Sequence, residues 1–260
     1  MRAFASQRYS RFAPLVLVTL LLAAIGGIVA VAGASTATAD DTYTEAQIVE
    51  GEKLFDANCA TCHGTGAVGS DIAPSLIGVG AAAVDFQVGT GRMPMQSSGP
   101  QAQAKPPVFS DAQIAELAAY VASLGAGPSI PTAEQVDGSL GDAARGAEIF
   151  RTNCAMCHGS VGGGGALTQG KYAPALWETT PTHIYEAMLI GPQSMPVFND
   201  ANVTPEHKRD VIAYLEAQRE GAAGGLGLGA IGPVSEGLWG WLVGLGLIIA
   251  ATVWVGARSS

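Results

Sequence analysis

The sequence is short of charged residues, of aromatic residues and of positive charge. Of its 260 residues only 13% are charged and 7% are aromatic, and 22 Asp and Glu outnumber 13 Lys and Arg. The net charge of −9 disfavours nucleic-acid binding, because proteins that bind nucleic acid rely on basic patches. An acidic surface is compatible with docking to a basic partner, although composition alone does not name that partner.

Cysteine is also scarce, and all four cysteines fall in two copies of one motif. Residues 51–64 read GEKLFDANCATCHG and residues 146–159 read GAEIFRTNCAMCHG. Cys-x-x-Cys-His is the attachment signature of c-type haem, in which both cysteines form thioethers and the histidine binds the iron. The sequence therefore predicts two covalently bound haem c groups, held by Cys59, Cys62 and His63 and by Cys154, Cys157 and His158.

Other uses of Cys-x-x-Cys fit less well. A four-cysteine zinc site joins motifs that are about 15–20 residues apart, whereas these motifs lie 95 residues apart. A thioredoxin-like redox pair does not need a histidine at the same offset in both copies. Two structural disulfides would leave both histidines unexplained.

The repeat extends beyond the motif and predicts two small, mainly α-helical domains. An Ala-Pro pair, a short helix, a Met-Pro pair and a last helix follow each motif in the same order. The first domain is placed at residues 44–125 and the second at 141–219, with a linker at 126–140. The predicted helices of the first domain are Glu45–Asn58, Ala81–Val88 and Ile114–Leu124, the last preceded by an N-cap and first turn at Ser110–Gln113. Those of the second domain are Gly146–Asn153, Thr182–Ile190 and Pro205–Gln218.

This order resembles the class I cytochrome c fold over residues 44–219. In that family a first helix carrying a glycine and an aromatic residue packs across the last helix. Gly51 and Phe55 with Tyr120 fit those places in the first domain. Gly146 and Phe150 with Tyr214 fit them in the second.

The resemblance also implies the distal iron ligands. In class I cytochromes a methionine in a loop binds the iron opposite the histidine, and such ligation raises the reduction potential. Met93-Pro94 and Met195-Pro196 occupy this place, so Met93 and Met195 are the predicted ligands. Met95 and Met188 remain as alternatives, although Met188 falls within a predicted helix, where core packing is its expected role.

The family resemblance gives a role to two prolines as well. The carbonyl of a proline at the place of Pro74 and Pro174 accepts a hydrogen bond from the proximal histidine and fixes its ring. The two histidines outside the motifs, His183 and His207, are expected on the surface and are not predicted ligands.

Residues 1–39 have the pattern of a signal or anchor segment. Three arginines lie among the first 11 residues, and an uncharged run at 12–39 has an apolar centre at 15–32. A signal-peptide core is about 7–15 residues long and a spanning helix about 20, and the length of this apolar centre approaches the second value. The segment is therefore either a cleaved signal, with Ala-Thr-Ala at 37–39 as the cleavage site, or a retained anchor. Either places the following domain outside the cytoplasm.

The C-terminal part predicts a tether and a membrane anchor. Residues 220–237 are glycine-rich and read as a tether. Residues 238–257 contain no charged residue and would span roughly 30 Å as a helix. The tryptophans Trp239, Trp241 and Trp254 lie near its ends, as interface aromatics do, and Arg258 favours a cytoplasmic C-terminus.

The whole arrangement resembles the dihaem cytochrome c (cytochrome cc) subunit of the actinobacterial menaquinol–cytochrome c reductase, the bc1-type complex. The matching strings are PSLIGVG at 74–80, TGRMP at 90–94, GKYAP at 170–174, GPQSMP at 191–196 and GARS at 256–259. The resemblance implies electron transfer from the Rieske iron–sulfur subunit, beside cytochrome b, through both haems to the copper centre of an aa3-type oxidase. No residue of this chain then performs acid–base chemistry.

Two other functions share these features. A free-standing, membrane-anchored dihaem carrier, like a tethered cytochrome c4, has the same haem chemistry but no permanent partner. A dihaem peroxidase or thiosulfate dehydrogenase needs a displaceable or unusual distal ligand, and a Met-Pro pair in both repeats disfavours that class.

Overall fold

A computed structural model describes residues 14–23, 43–97, 99–220 and 233–258, and these are mainly helical, as predicted. The helices are α1 Pro14–Ala23, α2 Glu45–Asn58, α3 Ala60–His63, α4 Ala81–Gly89, α5 Asp111–Ser123, α6 Ala133–Val136, α7 Ala143–Asn153, α8 Ala155–His158, α9 Pro181–Ile190, α10 Pro205–Arg219 and α11 Pro233–Arg258. Short 3₁₀ turns span Thr65–Ala67, Gly138–Leu140 and Thr168–Gly170. Two short antiparallel strands, β1 Gly165–Ala166 and β2 Tyr172–Ala173, pair with Gly165 opposite Ala173.

Capping residues set where the long helices begin. At α2, Thr44 and Gln47 form a reciprocal capping box, in which each side chain bonds the other residue's backbone N–H. Ser110 and Gln113 repeat this arrangement at α5, which begins at Asp111 because Ser110 is the N-cap, as predicted. Such boxes satisfy backbone donors that the first helical turn leaves without partners.

The first repeat is built on the crossing of α2 and α5. A Cβ on Gly51 would lie 2.0 Å from the carbonyl oxygen of Glu116, so only glycine allows this approach of the two helices. The rings of Phe55 and Tyr120 pack beside the crossing with their centroids 5.3 Å apart. Phe55 and Tyr120 are 1% and 4% exposed, as the predicted packing requires.

The second repeat reproduces this crossing between α7 and α10. A Cβ on Gly146 would lie 1.9 Å from the carbonyl oxygen of Asp210. The centroids of Phe150 and Tyr214 are again 5.3 Å apart, at an interplanar angle of 47° against 46° in the first repeat. The two domains therefore share one fold, because the same glycine and aromatic positions form the same contact.

Asp210 adds a polar anchor that the first repeat does not have at this place. It is 1% exposed and accepts hydrogen bonds from Arg145 Nε at 2.5 Å and from the backbone N–H of Asp142 at 2.7 Å. These bonds connect the start of α7 to α10. They lower the pKa of Asp210 against the opposing effect of burial, which raises it.

The segment at 126–140, predicted as a linker, contains ordered structure. Helix α6 and the Gly138–Leu140 turn lie against α10. Gln135 Nε2 donates to the hydroxyl of Tyr185 at 3.3 Å, and Arg209 donates to the carbonyl of Glu134 at 3.4 Å. The connection between the repeats thus packs on the second one.

Helices α4 and α9 form the main contact between the two repeats. Phe86 of α4 meets His183 of α9 edge-on, with ring centroids 6.0 Å apart. Gly89 lies so close that a Cβ there would be 3.0 Å from His183 Nε2. His183 was expected on the surface, but its side chain is only 19% exposed because it packs at this contact.

The C-terminal helix matches the predicted anchor. Residues Gly237–Arg258 of α11 are long and apolar enough to cross a membrane, and this apolar stretch is not buried against the rest of the described chain. The Arg258 guanidinium lies 4.6 Å from the centroid of Trp254. Most of the predicted tether at 220–237, and all but ten residues of the predicted signal or anchor at 1–39, lie outside the described residues.

Candidate functional site

Each Cys-x-x-Cys-His motif forms one short helical turn after the first helix of its repeat. In the first repeat, α2 ends at Asn58 and α3 carries the motif to His63. The backbone N–H groups of Cys62 and His63 both donate to the carbonyl of Cys59, at 3.1 and 2.9 Å. Gly64, with φ of 75°, then turns the chain away. This turn places both cysteines and the histidine next to one another.

Both motif histidines present the same ring nitrogen to a proline carbonyl. His63 Nδ1 lies 2.8 Å from the carbonyl oxygen of Pro74, and His158 Nδ1 lies 3.0 Å from that of Pro174. A carbonyl only accepts hydrogen bonds, so Nδ1 must carry the proton in each ring. Nε2 is then left with its lone pair for a metal ion.

Burial keeps the first cysteine of each motif uncharged. It raises the pKa of Cys59 and of Cys154 to about 11, with a smaller effect from the neighbouring motif cysteine. A redox-active or metal-binding cysteine needs a lowered pKa, so these thiols do not fit a thioredoxin-like pair. None of the four cysteines forms a disulfide.

The second motif opens onto a cavity of about 500 Å³. Cys154, Cys157 and His158 line it, together with Met195. Burial lowers the pKa of His158, while its hydrogen bond to Pro174 acts in the opposite direction. A neutral imidazole is the form that binds metal. The volume lies within the range of cofactor pockets.

Met195 and Met188 both line this cavity, but they lie in different parts of the second repeat. Met188 is 3% exposed and belongs to the core of the second repeat, as its position in a helix suggested. Met195 lies in the loop after α9 and packs against the same core from its edge. Its backbone N–H donates to the carbonyl of Pro192 at 3.0 Å. These positions favour Met195 as the ligand.

Met93 has the equivalent place in the first repeat. It is partly buried against the hydrophobic cluster that also contacts Cys59, whereas Met95 is 41% exposed. The backbone N–H of Met93 donates to the carbonyl of Gln87 at 2.8 Å, and Lys105 Nζ donates to the carbonyl of Pro94 at 2.7 Å. The loop is therefore fixed on both sides of the methionine, which favours Met93 over Met95.

The first repeat helps to enclose the second cavity, which the sequence alone did not predict. The first-repeat residues that line it are Phe86, Gly89, Thr90, Arg92, Gln101 and Ala104. Gln101 fixes this arrangement by two hydrogen bonds to the backbone of Tyr172, each 2.9 Å long. In the sequence, the one hint of a role for Arg92 at a haem site was its position directly before Met93.

A titratable cluster at the contact between the repeats was missed as well. Asp85, His183 and Glu186 have ligand atoms that all lie within 4.8 Å of one another. Glu186 is fully buried, and Asp85 is the acidic neighbour that acts on its carboxyl. Burial, followed by the charge of Asp85, raises the pKa of Glu186 to about 10, so this carboxyl is neutral at pH 7.

The donor set fits haem c. Two thiols, an imidazole with its Nε2 lone pair available and a methionine surround a largely apolar space in the second repeat. The first repeat has the same cysteines, the same histidine–proline hydrogen bond and a methionine loop. Thioether attachment with histidine and methionine ligation needs these groups.

Comparisons with known proteins agree with this chemistry. The family described as cytochrome c oxidase, cbb3-type, subunit III matches residues 46–121 and 141–215, which contain the two motifs. A protein of Corynebacterium efficiens named cytochrome bc1 complex cytochrome c subunit is 46% identical, over 86% of this chain and 80% of its own length. A protein of the same name from Corynebacterium diphtheriae is 46% identical, over 83% of this chain and 82% of its own length. Another from Mycobacterium tuberculosis (strain H37Rv) is 43% identical, over 94% of this chain and 90% of its own length.

Proposed function

Because the chain belongs to the family of cytochrome c subunits of the actinobacterial cytochrome bc1 complex, we propose that it is the dihaem electron-transfer subunit of a menaquinol–cytochrome c reductase. One observation carries the proposal. In both repeats the motif histidine has Nδ1 within 3.0 Å of a proline carbonyl, which leaves Nε2 for iron. A chain with one functional repeat would not need this arrangement twice.

The proposed roles of the residues follow from the geometry. Cys59 and Cys62 hold the first haem covalently, and Cys154 and Cys157 hold the second. Haem c, when bound, supplies a one-electron centre. His63 with Met93, and His158 with Met195, would bind the two haem irons and would tune their reduction potentials.

Pro74 and Pro174 orient the two ligand histidines. Their carbonyls fix the ring rotation and the tautomer, and a hydrogen bond to Nδ1–H makes Nε2 a stronger donor. Further bonds hold the surrounding loops: Trp177 Nε1 donates to the carbonyl of Val161 at 3.0 Å, and the Tyr214 hydroxyl donates to that of Ser160 at 2.7 Å. The protein thus positions its cofactors and performs no acid–base step of its own.

The proposed location follows from the C-terminal helix. Helix α11 anchors the chain in the lipid of the cell membrane, and Arg258 marks the cytoplasmic end. The two haem domains then lie on the extracytoplasmic face. At that face the chain takes electrons from the Rieske iron–sulfur subunit, beside cytochrome b, and delivers them to the copper centre of an aa3-type cytochrome c oxidase. Two sites in one chain replace a diffusing cytochrome c.

Purification from native membranes in a mild detergent tests the proposal. We expect the tagged chain to carry two haem c, and to co-purify with b-type and a-type haem absorbance and with menaquinol oxidase activity. Cys59→Ser with Cys62→Ser, or Cys154→Ser with Cys157→Ser, should each remove one of the two covalent haems. A c-type signal alone, unchanged in gentler detergents, would refute the fixed complex and indicate a free-standing tethered carrier.

A further inference from the structure

Arg92 is a cation that the first repeat places in the cavity of the second. Its guanidinium lies 4.8 Å from the centroid of the Phe86 ring, and both side chains line the cavity that contains His158. Because the Phe86 ring lies against the guanidinium, part of the hydration of that group is lost. Burial accordingly lowers the pKa of Arg92, although the neighbouring Tyr172 opposes this. A guanidinium nevertheless stays charged at any physiological pH.

This cation has no anionic partner among the described residues of the chain. The ion pairs of the described parts involve other basic residues, and no described carboxylate lies within 4.0 Å of Arg92. The acidic residue that lines the same cavity, Glu178, is exposed and forms no ion pair with it. A partly desolvated charge is costly unless a counter-charge compensates it, so the cavity calls for an anionic ligand group.

The geometry points to a haem propionate as that group: we propose that Arg92, from the first repeat, binds a propionate carboxylate of the haem held by Cys154, Cys157 and His158. This inference rests on the proposed function, since it needs a haem in the second cavity. A guanidinium offers two parallel N–H donors that match a carboxylate. The contact with Phe86 restrains the position of the guanidinium before the anion binds.

The loop that carries Arg92 also carries the predicted ligand of the first haem. Met93 packs against the core of the first repeat, whereas Arg92 faces the cavity of the second. Lys105 holds the loop on both sides of Arg92. The backbone N–H of Lys105 donates to the carbonyl of Thr90 at 3.2 Å, and Lys105 Nζ donates to the carbonyl of Pro94 at 2.7 Å. Two adjacent residues of one fixed loop therefore serve the two haem sites.

This arrangement has an electrostatic consequence that can be measured. A positive charge near a haem favours the reduced, less positive state. A unit charge about 10 Å from a redox centre, at an effective dielectric constant of about 20, changes the reduction equilibrium roughly tenfold. Removing the Arg92 charge should therefore make the second haem about tenfold harder to reduce, which is 59 mV for a one-electron couple.

Spectroelectrochemical titration of the purified haem-loaded complex tests the proposal. In Arg92→Gln we expect the midpoint potential of at least one c-type haem to fall by about 59 mV, which is a roughly tenfold change in its reduction equilibrium. Arg92→Lys keeps the charge and should restore most of the potential. Arg151→Gln removes the same charge from an exposed position of α7 and should leave both potentials unchanged.

Redox-difference infrared spectra give a second measurement that does not depend on Arg92→Gln folding. The propionate carboxylate bands of the wild type should shift in Arg92→Lys, because a single ammonium replaces two parallel donors, and should not shift in Arg151→Gln. Unchanged bands, or two unchanged midpoint potentials in an Arg92→Gln protein that still carries two haems, would overturn the Arg92 proposal and leave the dihaem function intact. A wild-type chain without two haems would instead refute the proposed function, and this inference with it.

Discussion

Replacing Gly51 by alanine should destabilise the first repeat, because the added methyl group has no room at the helix crossing. Its Cβ would lie 2.0 Å from the Glu116 carbonyl oxygen and 2.6 Å from the carbonyl carbon. Both atoms belong to the backbone of α5, so no side-chain rotation removes the clash. To reach an ordinary van der Waals distance, α2 and α5 must separate by more than about 1 Å.

The net cost follows from two opposing effects. Alanine favours a helix over glycine by about 1 kcal/mol. Against this, a gap of about 1 Å forfeits up to about half of the dispersion energy of each contact across the crossing. Phe55 and Tyr120 make those contacts and are almost fully buried. Strain of this kind costs about 3 kcal/mol, so the net loss is about 2 kcal/mol, or roughly 8–16 °C in Tm for a domain of this size.

Thermal unfolding of the purified haem-loaded chain, followed by visible circular dichroism, measures this loss. Glu52→Ala is the matched control, because Glu52 is the exposed neighbour of Gly51 on α2. Gly146→Ala should have the equivalent effect on the second domain, where the Cβ would lie 1.9 Å from the Asp210 carbonyl oxygen. A Gly51→Ala protein with the Tm of Glu52→Ala would refute the reasoning.

Three further predictions concern charge and ligation. Burial and Asp85 raise the pKa of Glu186 to about 10, so the folded chain keeps a proton that the unfolded chain releases above the ordinary pKa of 4.5. Relative to Glu186→Gln, the wild type should therefore lose unfolding free energy as the pH rises from about 5 to 9. Chemical denaturation at several pH values measures this, and parallel stability curves of the two proteins would contradict it. Asp210→Asn should cost about 2 kcal/mol of unfolding free energy at pH 7, because the charged hydrogen bonds of Asp210 are lost. Burial raises the pKa of Asp210, but the Arg145 and Asp142 donors outweigh it and lower the pKa below 3.8, so the difference from the wild type should shrink below about pH 4. A difference that persists at lower pH would show that the charge is not its cause. Met195→Leu should lower one haem reduction potential, because it removes the sulfur ligand. Met188→Leu changes a core residue, so it should leave both potentials unchanged and cost less than about 1.5 kcal/mol of stability. The reverse pattern in a redox titration would assign the ligand to Met188.

Much of the helical framework could be predicted from local patterns. Helix α2 has the predicted bounds, Glu45–Asn58, because Thr44 and Gln47 form a capping box that the sequence displays. Helix α9 begins one residue before the predicted Thr182, with Pro181 in its first turn. The linker was less predictable, because α6 and the Gly138–Leu140 turn depend on packing against α10.

The sequence by itself determined the chemistry of each site. A Cys-x-x-Cys-His turn, a proline and a methionine recur in order because covalent attachment and axial ligation depend on residue type and short spacing. Only the tertiary structure decided what one repeat contributes to the other: it placed Arg92 and Gln101 of the first repeat at the cavity of the second, and brought Asp85 to His183 and Glu186. Those contacts join residues about 70 to 100 positions apart, and no local period or motif encodes them. They arise because α4 and α9 each bury a face against the other, and the side chains beside that contact then share one desolvated space.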